Sequence, residues 1–274
     1  MEHLAKIKQY KAFYLITEEY FLPEIDRTFD FSQLMKDVLQ TSGDHDRLVN
    51  KFLDQPILTS PLSWIITQNN FKVYRLPKLG ERIEIETRLV NANRFFVDRW
   101  FSVRSKEEGL MEFQIQFSVI NLEIRKMGRI PDSRIKALDL VDSSQYQRME
   151  KISLPEEVSF YSDHAYQVKK EDIDGNNHVN NLVYLRWCLQ ALPHDLLREY
   201  QIESLGIKYG HELLFDQQVS IQTYLFKSLL AHNGDYKIKG DELGFPSYQI
   251  IQNLSTDRDA GYLIIKWKRN ENLS

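Results

Sequence analysis

What most constrains this chain is a plan that it states twice: an apolar helical stretch, then a series of alternating strands. In the first half Ile83, Ile85, Thr87 and Leu89 alternate with charged residues, and Met111, Phe113, Ile115, Phe117 and Val119 alternate with polar ones. Alternation of this kind marks antiparallel strands with one buried face. Further strands are predicted at Phe13 to Ile16, Trp64 to Val73 and Phe95 to Val103. A helix is predicted over about Phe31 to Gln40, with Phe31, Leu34, Met35, Val38 and Leu39 on one face. The second half repeats the order. Ser159 to Val168 reads as a strand and Asn181 to Leu192 as the helix. Leu205 to Tyr209, Val219 to Phe226, Ser247 to Asn253 and Gly261 to Trp267 read as strands. Asp132 to Pro155 is polar and weakly periodic, as a linker would be. Periodicity alone therefore gives an α+β chain, helix then strands, twice.

The repeat can be aligned. Val38-Leu39-Gln40 matches Cys188-Leu189-Gln190 at an offset of 150, and Ile85-Glu86-Thr87 matches Ile221-Gln222-Thr223 at an offset of 136. A run of chemically competent residues lies just before the second helix: Asp174-Gly175-Asn176-Asn177-His178-Val179-Asn180-Asn181. In an extended segment Asp174, Asn176 and His178 would point to one side. Asn180 and Asn181 are helix-capping types. The N–H groups around Val179 and Asn180 would then face a developing oxyanion. The first offset places Glu24, Asp26 and Thr28 opposite Asp174, Asn176 and His178, and the second places Leu76 opposite Glu212. The first half thus lacks the Asn, the His and the Glu.

The composition suits a soluble intracellular enzyme. Hydrophobic residues make up 42% and charged residues 27% of the 274 residues. The net charge of −4 argues against a general nucleic-acid binder. A single cysteine, Cys188, excludes an intrachain disulfide. The first residues lack an apolar signal core, and no apolar run is long enough to span a bilayer. The expected location is cytoplasmic.

Several motifs can be set aside. Asp172-x-Asp174-x-Asn176 opens like a calcium loop, but Asn177 stands at its glycine position and Val183 at its terminal glutamate position. Neither a His-Glu-x-x-His nor a Cys-x-x-Cys pattern occurs, so no metal is expected. A Gly-x-Ser-x-Gly elbow is also missing. Cys188 lies well inside the helical stretch between Trp187 and Leu189, where a thiol packs as a small apolar group rather than acting as a nucleophile.

Asp-x-Asn-x-His-Val-Asn-Asn, followed by Tyr184 and Trp187, resembles the signature of the acyl-acyl-carrier-protein (acyl-ACP) thioesterases. Trp64, the run Arg75-Leu76-Pro77-Lys78-Leu79-Gly80-Glu81, and Leu122 to Lys126 through Arg129-Ile130-Pro131 resemble parts of that family's first domain. Tyr209 and Glu212 fall where the second domain's tyrosine and catalytic glutamate lie, 34 residues beyond the histidine (178 to 212). Plant members carry a cysteine directly after that glutamate; here it is Leu213. The resemblance covers nearly the whole chain. It implies a double hotdog fold, with an N-terminal hotdog over 1–135 that is non-catalytic and contributes the acyl pocket. A linker over 136–155 and a catalytic hotdog over 156–274 would follow. It further implies hydrolysis of an acyl-ACP thioester to a free fatty acid, ending fatty-acid elongation, with no cofactor.

On that reading Glu212 is the general base, Asn176 and His178 handle the water and the carbonyl, and Asp174 orients one of them. Acidic turn chemistry explains Asp174 equally well. The partner would be acyl carrier protein bearing a phosphopantetheine-linked chain, docking on Arg125, Lys126 and Arg129, with Lys72, Arg75 and Lys78 as a second basic cluster. A homodimer is compatible with the sequence. Other activities compatible with these residues are acyl-CoA hydrolysis, a hotdog dehydratase, and non-catalytic acyl binding.

Overall fold

The computed structural model describes residues 7–23, 28–52, 56–137, 144, 146–229 and 244–270. The first half carries β1 (Gln9–Leu15), β2 (Phe21–Leu22), β3 (Thr28–Phe29), α1 (Phe31–Phe52), β4 (Leu62–Val73), β5 (Arg82–Ala92), β6 (Phe96–Ser105), β7 (Glu108–Asn121), β8 (Lys126–Met127) and α2 (Asp132–Ala137). The second carries β9 (Val158–Gln167), α3 (Asn181–Gln190), α4 (His194–Glu199), β10 (Tyr200–Tyr209), β11 (Gln218–Phe226), β12 (Gly244–Asn253) and β13 (Arg258–Arg269). Contacts divide the chain into two units. One is Met1–Tyr20 with Gln33–Met149; the other is Phe21–Ser32 with Glu150–Ser274.

The first unit orders its strands β1-β5-β6-β7-β4, with β8 paired to β7. The second orders them β9-β11-β12-β13-β10. Strand for strand this is the same topology, and every pairing is antiparallel. The offsets read from the sequence recur in the element starts. Helices α1 and α3 begin at 31 and 181, and β5 and β11 begin at 82 and 218. The duplication is thus architectural, a main helix and five antiparallel strands in the same order in each unit.

Helix α1 runs twelve residues beyond the expected Gln40. Its buried stripe continues through Thr41, Ser42, His45 and Val49, so the i, i+3, i+4 spacing persists while the residue types turn polar. The helix is tied to its sheet. Tyr14 of β1 donates its hydroxyl to the Asp37 carbonyl at 3.1 Å. Arg99 of β6 donates to His45 Nδ1 at 2.9 Å and pairs with Asp46. Val49 of α1, Leu89 of β5, Val97 of β6 and Val119 of β7 form a buried cluster with Ile7, Ile57 and Ile130 from outside those elements.

The second helix behaves differently. It stops at Gln190, and a separate α4 begins after Pro193. Proline disfavours helical conformation in the residue before it, so the continuous helix of the first half is broken here. Tyr184, Leu185, Trp187, Cys188 and Leu189 form the buried side of α3. Gln249 of β12 donates to the Cys188 carbonyl at 2.9 Å, satisfying one of the last helical acceptors.

The division by contacts departs from one cut between 135 and 156, because Phe21–Ser32 groups with the second unit. Phe29 and Phe31 are buried, and Arg186 of α3 donates to Asp30 at 2.7 Å. Asp30 also accepts the Ser32 N–H at 2.8 Å, capping α1. Most of the expected linker's first half, 138–143 and 145, lies outside the described residues. Beyond it, Gln147 is held by Gln114 of β7, whose side chain accepts the Gln147 N–H at 2.9 Å and donates to its carbonyl at 2.7 Å.

Candidate active site

The segment before α3 is a closed loop, not the extended strand that alternation suggested. Ile173 and Val179 form an antiparallel bridge. Between them Asp174 donates its N–H to the His178 carbonyl at 2.8 Å, and Asn177 donates to the Asp174 carbonyl at 3.1 Å. The Asp174 side chain accepts the Asn176 N–H at 2.8 Å, an Asx turn. Asn177 adopts φ +64°, a conformation that asparagine tolerates better than most residues. Asp174 therefore shapes the loop through that carboxylate oxygen.

The loop delivers His178 to Glu212. His178 Nε2 lies 3.3 Å from Glu212 Oε2, with the histidine side chain 15% exposed and the glutamate 46% exposed. The carboxylate can thus reach both the imidazole and solvent. Its position is fixed from both sides. After β10 ends, Gly210 donates to the Ala260 carbonyl at 2.8 Å and His211 donates to the Asp259 carbonyl at 3.1 Å. On the far side Leu213 is fully buried, and its carbonyl accepts the Val179 N–H at 2.9 Å. The approach at Gly210 needs glycine: a Cβ there would lie 2.6 Å from the Asp259 carbonyl oxygen.

Two tyrosines brace the same corner. The Tyr209 hydroxyl donates to the Asn181 carbonyl at 3.3 Å, and its ring meets Tyr184 edge-on at 5.6 Å. Burial pushes the Tyr184 phenol well above its ordinary range, while a hydrogen bond from the Leu213 backbone opposes that shift. The sequence pointed to Tyr209 and Glu212 only through the family resemblance. Gly210 was missed, although a lone glycine between a strand and a charged residue is a signal of close backbone approach.

One expectation is overturned. The N–H groups of Val179 and Asn180 are not open to an oxyanion. Val179 donates to Leu213, and Asn180 donates to the Asp172 carbonyl at 2.8 Å. The bridge that closes the loop takes the Asn180 donor, and the segment after Glu212 takes the Val179 donor. Asn180 is instead the N-cap, its side chain accepting the Leu182 N–H at 3.0 Å. The Asn176 side chain is exposed and makes no hydrogen bond among the described residues, so its amide remains a ready donor.

Cys188 is fully buried, and burial pushes its thiol far above the ordinary thiol range. A thiolate is not available there. No group of metal-ligating side chains occurs among the described residues. Among the described residues no helix is long and apolar enough to cross a membrane. Arg125 in the β7–β8 turn, Lys126 in β8 and Arg129 just after it are exposed, with Arg129 5.3 Å from the centre of the Phe95 ring. The second basic cluster is not a free cation patch. Arg75 binds Glu81 at 2.9 Å and Glu108 at 2.6 Å, which consumes its charge locally. Of the first-half counterparts, Glu24 and Asp26 lie outside the described residues; Thr28 sits in β3.

Comparison with known proteins bears on these residues. The model of the acyl-ACP thioesterase N-terminal domain matches residues 8–138, and that of the C-terminal domain matches 156–268. The chain belongs to the acyl-ACP thioesterase family. Its curated relatives are distant. It is 22% identical over 217 residues to an oleoyl-acyl carrier protein thioesterase of Coriandrum sativum, covering 73% of this chain and 58% of that protein. The chain thus spans well under two thirds of that relative's length. Among solved structures, a putative oleoyl thioesterase from Lactobacillus plantarum superposes with a TM-score of 0.74 at 18% identity, covering 97% of this chain and 98% of the other. The 12:0-ACP thioesterase of Umbellularia californica gives 0.72 at 18%, covering 98% and 97%. At such identities the likeness establishes the fold, a double hotdog. In this family member the Asp174–Asn181 loop, Glu212 and the helix cap all lie within the second unit.

Proposed function

We propose that this family member hydrolyses acyl-ACP thioesters, releasing a free fatty acid and the carrier's thiol and so ending chain elongation in the cytoplasm. The observation that carries the reading is the His178–Glu212 contact at 3.3 Å, held by a backbone lock on each side of the glutamate. Glu212 takes a proton from water as the water oxygen attacks the thioester carbonyl carbon. The Asn176 amide and His178 donate to the oxygen that gains charge, replacing the helix-end N–H groups in that role. Collapse of the tetrahedral species breaks the C–S bond, and the departing sulfur takes a proton from the His178–Glu212 pair. A thioester is an activated acyl group, so these residues suffice without a cofactor. Direct attack by the carboxylate to form an anhydride starts from the same geometry. Hydrolysis in ¹⁸O-water under single turnover tests the anhydride route: water attacking the glutamyl carbonyl of the anhydride leaves label in Glu212, whereas direct attack of water labels only the fatty acid.

The carrier is acidic, and the exposed Arg125, Lys126 and Arg129 offer a complementary face on a chain whose net charge is −4. The testing experiment is thiol release from a panel of acyl-ACP and acyl-CoA substrates. Hydrolysis with kcat/KM higher for acyl-ACP supports the reading. Preference for acyl-CoA would reassign the substrate, and no thiol release from either would refute hydrolysis.

A further inference from the structure

The turn that follows Glu212 exposes apolar side chains that the proposed chemistry does not use. Leu213 is fully buried, but Leu214 is 46% and Phe215 59% exposed. Turns are normally built from glycine, proline, asparagine, aspartate and serine, so a leucine and a phenylalanine presented to solvent here need a reason. A third exposed apolar side chain, Leu254 at 47%, stands on the neighbouring β12–β13 turn. These side chains sit on well-held backbone. Gln217 ties the two turns together: its Oε1 accepts the Leu214 N–H and an Asn253 Nδ2–H, each at 2.9 Å. The Leu254 N–H donates to the Gln218 carbonyl at 2.9 Å. Asp216 donates its N–H to the Val168 carbonyl at 3.1 Å, and Val168 donates back to the Gln217 carbonyl at 2.9 Å. Held by these bonds, the turn has little freedom to lose when a partner covers it, and preorganisation of this kind favours binding.

Distance and charge say what covers it. Phe215 is three residues beyond Glu212, and three residues of extended chain span at most about 11 Å. A carrier that delivers a thioester to Glu212 on a prosthetic arm therefore brings its own surface close to this turn. Lys169 and Lys170 follow Val168 at the turn's edge, and both are exposed. Lys169 lies 3.8 Å from the exposed Glu171, and Lys170 has no ion-pair partner among the described residues. The carboxylates of the two turns are engaged locally. Asp216 accepts from Gln167 Nε2 at 2.7 Å, Asp257 accepts from Gln252 Nε2 at 2.9 Å, and Asp259 accepts from the Tyr262 hydroxyl. Apolar anchors beside available lysines complement an acidic protein surface.

We propose that Leu214, Phe215 and Leu254 form an apolar anchor on which the acyl carrier protein seats beside the catalytic glutamate, with Lys169 and Lys170 meeting its acidic surface. The identity of the partner rests on the hydrolase reading above; the position of the face rests on the second unit alone. It is a contact separate from Arg125, Lys126 and Arg129 of the first unit.

The test titrates the full chain with holo-carrier protein bearing no acyl chain and, separately, measures steady-state hydrolysis. Leu214→Ser with Phe215→Ser should weaken holo-carrier binding and raise KM for acyl-ACP by about tenfold or more, the scale on which a buried aromatic anchor acts. The kcat, and the KM for a short acyl-CoA, should not change. Lys170→Glu should weaken the same binding, more at low salt than at high. If the double variant does not fold, Leu254→Ser and Lys170→Glu carry the test. Unchanged carrier binding in the folded variants overturns the proposal. An equal rise in KM for both substrates also overturns it, by placing these side chains in the path of the acyl group. A change in the sedimentation of the free chain would assign the face to a second copy, and lost binding to phosphatidylglycerol vesicles would assign it to a membrane; either result overturns carrier docking. Holo-carrier binding that depends on Phe215, with no hydrolysis of acyl-ACP, upholds this face and defeats the hydrolase reading. Hydrolysis with carrier binding indifferent to Phe215 does the reverse.

Discussion

Gly210→Ala is the perturbation that the geometry quantifies best. The added Cβ would lie 2.6 Å from the Asp259 carbonyl oxygen and 3.3 Å from the Ala260 carbonyl carbon, both backbone atoms. Ordinary contact begins near 3.4 Å, so the strands must separate by about 0.8 Å or the Gly210 segment must tilt away. Either movement strains the Gly210 and His211 hydrogen bonds to β13, at 2.8 and 3.1 Å. Two such bonds are worth roughly 1–3 kcal/mol in total. For a chain of this size that corresponds to a Tm lowered by about 2–12 °C. Glu212 is two residues away and its contact with His178 is already 3.3 Å. A displacement near 1 Å at a catalytic group costs about 10²-fold in rate. The assay is steady-state acyl-ACP hydrolysis beside thermal denaturation. The variant should remain folded at assay temperature, with kcat reduced about a hundredfold and KM little changed. A folded variant with wild-type kcat would refute the claim that this backbone lock positions Glu212.

Three further outcomes follow from named contacts. His45 is buried with its pKa lowered from 6.5 to about 4, by burial first and then by Arg99. The unfolded chain therefore binds a proton that the folded chain refuses, and stability is full above pH 6.5 and falls by roughly 3 kcal/mol as pH drops to 4. His45→Gln, which keeps one donor and one acceptor, should flatten the denaturation midpoint across that window; an unchanged slope would count against it. Cys188→Ser should keep most activity and lose roughly 1–3 kcal/mol of stability, read from denaturant unfolding, because a hydroxyl enters a fully buried site. An inactive, folded Cys188→Ser would revive a thiol mechanism. Arg125→Glu with Lys126→Glu should raise KM for acyl-ACP about tenfold while leaving a short acyl-CoA unaffected; equal effects on both would reject docking there.

The strands were legible because their faces alternate. Those built on Ile83-Ile85-Thr87-Leu89 and Met111 to Val119 start and end within a few residues of the expected bounds. The extension of α1 was hidden because its buried stripe is carried by Thr41, Ser42 and His45, polar types that read as surface residues until Tyr14 partners Thr41 and Arg99 and Ile7 partner His45. The stop before Pro193 was legible, the expected end at Leu192 lying two residues past the observed Gln190; the six-residue α4 beyond it was not expected. In the candidate site the residue types were legible and the backbone was not. A turn closed by its own amides takes the Asn180 donor, and pairings between distant segments such as Val179 with Leu213 leave no local trace in sequence. Glu212 shows the same limit. Nothing in Tyr-Gly-His-Glu-Leu announces that the carboxylate meets a histidine 34 residues earlier.

The most direct test of the central claim is single-turnover hydrolysis of acyl-ACP by the protein and by Glu212→Gln. The substitution keeps size and hydrogen bonding while removing the base, and a positioned general base contributes about 10²–10⁴ in rate. The unaltered protein should release the carrier thiol, and the variant, shown to be folded by its thermal transition, should do so at least a hundredfold more slowly. Full activity in the folded variant would contradict the account and remove the His178–Glu212 pair from the mechanism.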